Sequence, residues 1–443
     1  MRDDFGPLFR LPAMLGRKDL LMSFAPEDFA KLYRTEGAWP LRNGFETLAY
    51  YRRNVRPEIF ADAEGVVTAQ GEAWYKMRTI ANPIMMQPKT VRVYVGDVDE
   101  IAREFTTIMC KIRDDKYELP ADFIRWMNRW ALETMGVLAL ESRLGVLQST
   151  DSGEGQKLLE TVDQILKLTY QLEILPSLWR YFKTPAFRKL MAKYDDLTDL
   201  VMAKIEEAIV KFEQNPSTEG NQSVLEKMLK IDKHTAVTMA LDMIFGGIEM
   251  TSACTAGTLY CLATHPEKQA KLRDELRTIL PNKDSIMTAD SMRNLPYLRA
   301  CIKEGLRMIP PTVGSTRATG RDIVLQGYRV PKGMDVIMCS MVLLREEQYF
   351  GRIKEFLPER WLSGQQAEIP SAKETHPFLL LPFGFGSRSC VGKRLAMMEM
   401  EVALARIVRQ FEVRWNYGEY KQRATVINLP DVPLRFEMKD VVD

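Results

Sequence analysis

The sequence predicts a mainly α-helical protein with small β-sheets, organised as a single domain over residues 1–443. Three observations predict it. Helical periodicity dominates the chain, strand signals are few and cluster late, and no internal repeat or low-complexity linker divides the sequence. Residues 267–280 (EKQAKLRDELRTIL) put Leu272, Leu276, Ile279 and Leu280 on one face, and Pro266 suits the first helical turn. Asp322 to Val330 alternates and contains a Gly327 turn, and Met334 to Met341 is a second apolar run. Residues 392–411 carry Leu404, Ile407, Val408 and Phe411 at helical spacing. The turns from Leu395 to Met400 are apolar almost all round, as in a helix buried on most sides. Thr425–Leu429 and Leu434–Met438 flank Pro430-Asp-Val-Pro433 and predict a hairpin.

Composition narrows the function. Hydrophobic residues make up 46% and charged residues 27%, a globular balance. Lys+Arg 61 against Asp+Glu 59 leaves +2 with no basic tail, which argues against nucleic acid as the main partner. Six cysteines form no C-x-x-C pair and only three histidines exist. That argues against a zinc cluster or a disulfide framework, and a reducing compartment fits. No uncharged apolar run reaches the ~20 residues of a membrane span. The nearest, Val237 to Ala263, contains Asp242 and Glu249. Met1 to Pro12 shows neither a signal peptide nor an Arg/Ser-rich transit helix, so a presequence is expected to be missing from this chain.

The most informative stretch is PFGFGSRSCVGKRLA, residues 382–396. Gly384, Gly386 and Gly392 surround Cys390, and a helix follows at once. Glycines allow a tight turn where backbone approaches a flat object or another backbone. A cysteine just before a helix start feels the dipole and free N–H groups, which favour thiolate. Taken alone, Cys390 reads as a metal ligand, a nucleophile or a buried structural cysteine.

The pattern Phe383-x-x-Gly386-x-Arg388-x-Cys390-x-Gly392 resembles the haem-binding loop of the cytochrome P450 family. The resemblance extends over essentially the whole chain. It implies the P450 fold, with haem b (iron protoporphyrin IX) between a long central helix and the cysteine loop, and Cys390 as axial iron ligand. It also implies that Trp74 and Arg78, in Trp74-Tyr-Lys-Met-Arg78, contact haem propionates together with Arg317 and Arg388. Glu304-Gly-Leu-Arg307 and Phe356-Leu-Pro-Glu-Arg-Trp361 match two further signatures, which imply a buried structural cluster of Glu304, Arg307 and Arg360.

The family's central helix carries A-G-x-D-T-T. Here the segment reads Gly246-Gly-Ile-Glu-Met-Thr-Ser252. By this match Gly246 and Gly247 leave room for dioxygen, and Glu249 and Thr251 are the candidate catalytic residues. Met250 stands where the usual Thr belongs. Thr251 is one residue on, about 100° round the helix, and does not simply replace it. Phe245, Val313 and Gly314 also fall at family positions near the pocket.

Two features resemble the mitochondrial class. Arg299 and Lys303, at i and i+4, are expected to form a basic edge for an acidic, adrenodoxin-like [2Fe–2S] ferredoxin, itself reduced by an NADPH-ferredoxin reductase. Lys393-Arg394 follows Cys390 as Arg-Arg does in mitochondrial members. Tyr33-Arg-Thr-Glu-Gly-Ala-Trp-Pro40, Arg56-Pro, Gly71-Glu-Ala-Trp and Asn82-Pro-Ile-Met-Met-Gln-Pro-Lys resemble insect mitochondrial members. The resemblance implies a monooxygenase that inserts one oxygen atom of O2 into an apolar steroid, lipid or xenobiotic. The location it implies is the matrix side of the mitochondrial inner membrane, with peripheral membrane contact. Met250 keeps a haem-thiolate isomerase or dehydratase as an alternative, beside a catalytically silent haem-binding protein.

Overall fold

The computed structural model describes residues 2–148, 153–215, 218, 220–364 and 368–441. The longer helices, in chain order, are α1 (Pro26–Thr35), α2 (Gly71–Met85), α3 (Pro88–Ile112), α4 (Phe123–Leu140), α5 (Glu154–Thr169), α6 (Pro185–Gln214), α7 (Lys233–Ala263), α8 (Pro266–Ile279), α9 (Pro296–Met308) and α10 (Lys393–Gln410). Proline opens α1, α3, α6, α8 and α9, where its missing N–H costs nothing. The expected helices at 267–280 and 392–411 are α8 and α10, with Leu272, Leu276 and Leu404 fully buried.

The strands are short. A four-stranded sheet runs β1 (Leu8–Leu11), β2 (Leu20–Ser23), β6 (Asp335–Met338), β3 (Ser315–Ala318). β4 (Ile323–Leu325) and β5 (Tyr328–Val330) form the hairpin expected around Gly327, which has φ +82°. The hairpin expected across residues 430–433 does not form. β9 (Asn428–Pro430) pairs back with β8 (Gln422–Ala424), while β10 (Glu437–Asp440) pairs with β7 (Phe411–Arg414), just after α10. Prolines 430 and 433 have no N–H to donate to a shared ladder, so each flanking run pairs elsewhere.

α7 organises the body. Asp232 caps it, accepting from the Thr235 amide at 2.7 Å. It is the one helix among the described residues long and apolar enough to cross a membrane, yet 78% of its most apolar window is buried inside the fold. It packs on α4 and α9 through small residues. A side chain at Gly247 would meet Met135 of α4 at 2.6 Å, and one at Gly305 would meet Thr258 at 2.5 Å. The main core gathers round α3, α4, α7 and α10, and a second cluster joins α1 and the four-stranded sheet to Phe350, Phe378 and Leu379.

Candidate functional site

The cysteine loop is shaped by its glycines. Gly384 and Gly386 have φ +70° and +71°, a region that side chains avoid. The turn brings the Cys390 amide to the Phe383 carbonyl at 2.8 Å. Of the six cysteines only Cys390 is exposed, so it is not a buried packing residue. It nevertheless faces inward. Burial among protein atoms raises its thiol pKa, against the Gly392 and Lys393 amides and the Arg78 and Arg42 charges, which lower it.

Cations converge on that interior space. Arg388 lies 4.2 Å over the Trp74 ring. It donates to the Pro40 carbonyl at 2.9 Å, and to the Ala69 carbonyl and the Gln70 side chain at 2.8 Å each. Burial, then the neighbouring Arg42, Arg317 and Arg78, lower its pKa to about 9. Arg42 is lowered too, first by burial and then by Arg317, while Cys390 and Asp242 oppose the shift. Arg78 is buried, and its guanidinium has no hydrogen-bond or ion-pair partner among the described residues. Trp74 Nε1, Arg78 Nε and Arg388 Nη1 are buried donors without acceptors among the described residues. Each such donor costs about 1–3 kcal/mol unless an acceptor arrives. The arrangement therefore suits a ligand with carboxylates at one end and an atom that binds sulfur, and haem with its two propionates fits it.

Arg317 is buried beside this group but already engaged. Its Nε is 2.6 Å from Glu36 Oε2, and its Nη2 donates to the Phe385 carbonyl at 3.1 Å. Arg42, missed in the sequence reading, belongs to the same cluster. No spacing flagged it, because the chain folds it in from a segment without periodicity.

On the opposite wall, Asp242, Gly246 and Met250 form one stripe of α7 at i, i+4 and i+8. A Cβ at Gly246 would meet nothing within 4 Å, and Met250 is half-buried. Gly247 leaves no room, because Met135 fills that side. Thr251 is buried one turn beyond Gly247, on the side packed against α4. Ser252 is tied to α4 by a 3.0 Å bond to the Met127 carbonyl. Glu249 is buried, and its pKa is raised to about 7, first by burial, then by Asp163, against Lys167. Phe245 packs edge-on to Phe45, at 5.4 Å between centroids. Val313 is half-buried. Gly314 is forced by its neighbour, since a Cβ there would sit 1.8 Å from the Met338 carbonyl.

The model of the family described as "Cytochrome P450" matches residues 1–429. The chain belongs to the cytochrome P450 family. It is 43% identical to "Probable cytochrome P450 12a5, mitochondrial" of Drosophila melanogaster, over 100% of this chain and 85% of that one. It is 42% identical to "Cytochrome P450 CYP12A2" of Musca domestica, over 99% and 85%. A solved cytochrome P450 (CYP102L1) superposes with TM-score 0.80 at 22% identity, covering 99% of this chain and 93% of that chain, and shares the fold. The protein is thus an enzyme, a haem monooxygenase in general terms.

Elsewhere in this P450, Glu304 Oε1 lies 2.8 Å from Arg307 Nη2 and 3.0 Å from Arg360 Nε, all fully buried. Trp361 Nε1, which the sequence reading did not include, donates to Glu304 Oε2 at 2.8 Å. The two residues of the expected basic edge differ in their surroundings. Arg299 is half-buried and paired with Glu401, with Nε–Oε1 at 2.9 Å and Nη2–Oε2 at 3.1 Å. Lys303 is exposed. The exposed cations near Arg299 instead flank a groove of about 490 Å³ between α3 and the start of α10: Arg92, Arg293, Lys393 and Arg394, around an apolar floor that includes Val91, Met292 and Met397.

Proposed function

We propose that this P450 binds haem b between α7 and the loop before α10, with Cys390 as the axial ligand, and inserts one oxygen atom of O2 into an apolar small molecule. The observation that carries the reading is an accessible cysteine ringed by cations whose buried donors lack acceptors. When bound, the haem supplies the oxidising chemistry, and the protein supplies ligand, pocket and proton path. The Gly392 and Lys393 amides favour thiolate at Cys390 Sγ. Trp74, Arg78, Arg388 and Arg42 hold the propionates, with Arg317 behind them. Phe383 and Gly386 shape the loop. Gly246 keeps the opposite wall open.

Glu249 holds the proton on this reading. A carboxyl titrating near neutral pH can give and regain a proton under working conditions. Asp163 and Lys167 act on it from α5, on the solvent side. Thr251 points its helix face toward α4 and has the weaker claim.

Electrons arrive singly from an acidic, adrenodoxin-like [2Fe–2S] ferredoxin, reduced in turn by an NADPH-ferredoxin reductase. Lys303 and the groove cations meet it, while Arg299 only positions Glu401. The name of the Drosophila melanogaster relative supports a mitochondrial location; within it, we place the protein at the matrix side of the inner membrane, with peripheral membrane contact. The substrate is a steroid, lipid or xenobiotic.

Reconstitution tests the reading. Purified protein, adrenodoxin-like ferredoxin, reductase and NADPH are supplied with an apolar compound that shifts the haem spectrum. The expected result is an oxygenated product that requires O2 and NADPH and diminishes at high salt. The thioether of Met250 on the open stripe favours one second reading, an isomerase or dehydratase. Rearrangement of an organic hydroperoxide without NADPH would select it.

A further inference from the structure

Residues 33–42, YRTEGAWPLR, run from the end of α1 past the cysteine loop and form a wall of the site. The Tyr33 ring stacks on Phe378 and meets Phe385, at 5.4 Å between centroids in each case, and Arg317 lies 5.1 Å over its face. The Pro40 carbonyl anchors Arg388, Leu41 bridges to Ala318 of β3, and Arg42 joins the cations. Glu36 sits in the middle of this wall. Its side chain and that of Arg317 are 7% and 3% exposed, and they meet at 2.6 Å. Glu36 Oε1 occupies the space beside Gly386, 2.6 Å from where a Cβ would stand. Arg388 also acts on it electrostatically. A carboxylate is thus built into a cluster of cations. With a thiolate at Cys390 and two propionates, it would complete four negative charges against Arg42, Arg78, Arg317 and Arg388.

We propose that Glu36 is a positioning residue for the haem: it holds Arg317 against the Phe383–Cys390 loop and sets the charge balance of the propionate end, and with it the reduction potential of the iron. The proposal rests on the haem reading above. A buried negative charge favours the ferric over the ferrous state, because the ferric iron carries the larger positive charge. Glu36→Gln keeps the shape and removes the charge, so it raises the potential. Arg317→Gln removes a positive charge and lowers it. Removing both leaves the balance close to where it began.

The experiment is a spectroelectrochemical titration of the haem-loaded full chain. Glu36→Gln is expected to shift the ferric–ferrous equilibrium about tenfold toward ferrous, which for one electron is about 59 mV. Arg317→Gln should shift it in the opposite direction, and the double variant should stay within about threefold of wild type, because the two opposite shifts largely cancel. Glu36→Asp should keep the wild-type potential. A Glu36→Gln potential equal to wild type overturns the proposal. If Glu36→Gln fails to hold haem because Arg317 is left buried and unpaired, the neutral double variant decides. A tenfold shift toward ferrous from Arg317→Gln to this double variant supports the proposal, and equal potentials in the two overturn it. A wild-type protein that takes up no haem overturns the haem reading and this proposal with it. A normal wild-type spectrum beside an unmoved Glu36→Gln potential removes only the role of Glu36.

Discussion

Two buried arginine groups differ in what they converge on. Around Glu304, Arg307, Arg360, Trp361 and the Leu357 amide all point at one carboxylate, and the remaining guanidinium nitrogens reach carbonyls such as those of Leu344, Ile353 and Gly351. The two nitrogens left over, Arg307 Nε and Arg360 Nη1, belong to guanidiniums lying over the Phe350 ring. Around Cys390, Arg42, Arg78, Arg317 and Arg388 crowd one another, and among the described residues Arg78 has no hydrogen-bond or ion-pair partner and Trp74 Nε1 no acceptor. The first group is closed within the chain and serves the fold. The second, on the proposed reading, serves the haem propionates. The lesson is that buried positive charge tells function from structure by whether its partners are already present.

The largest effect expected from this contrast is on the closed side. Glu304→Ala strands two buried guanidiniums and should cost about 3–5 kcal/mol of stability. Urea unfolding should show the loss equally in apo and haem-loaded protein; a loss confined to the loaded form would break the comparison.

On the open side, Arg78→Gln should leave apo stability unchanged or higher, because it relieves crowded cations and breaks no hydrogen bond among the described residues. Haem transfer to apomyoglobin should instead accelerate about tenfold to a hundredfold, since a hydrogen bond to a charged group contributes about 1.5–3 kcal/mol. If the apo protein weakens as much as with Glu304→Ala, the second group is structural after all.

Glu249 gives a smaller, pH-dependent effect. Its folded pKa, about 7, is raised above the ordinary carboxylate value. Below the unfolded pKa both states are protonated and nothing is lost. Between that value and about 7 the folded state binds the extra proton, so stability falls as pH rises through this window, and Glu249→Gln removes the slope. Product formed per NADPH should likewise decline above pH 7 in the wild type and be low and flat in the variant. An unchanged profile in Glu249→Gln would move the proton path elsewhere.

The smallest change expected is at Met250. A thioether is a poor hydrogen-bond partner beside Glu249, and a hydroxyl can hold a water there. One added hydrogen bond is worth about 1 kcal/mol, so Met250→Thr should improve the ratio of product to leaked hydrogen peroxide about fivefold. Equal leakage with a bound substrate would show that Met250 is not the limit.

What could be read from sequence were the local patterns. Cys390 with its glycines and Glu304 with Arg307 lie within short segments, where spacing translates directly into geometry. α8, α10 and the Gly327 hairpin were legible for the same reason. Glu36 and Arg317 are 281 positions apart, and Arg388 and Pro40 are 348 apart, so no periodicity could join them. The i, i+4 relation of Arg299 to Lys303 is visible in the sequence, whereas its pairing with Glu401, 102 residues later, is not. The two runs around residues 430–433 have the composition of a hairpin, but their partners come from β7 and β8.

The central claim, that Cys390 binds the haem iron as a thiolate, is tested most directly by the absorbance spectrum of the reduced, carbon-monoxide-bound protein. The account predicts a thiolate-type band in the wild type and its loss in Cys390→Ala, with the α-helical circular dichroism retained. A wild type without that band, or a Cys390→Ala protein that keeps it, would contradict the account.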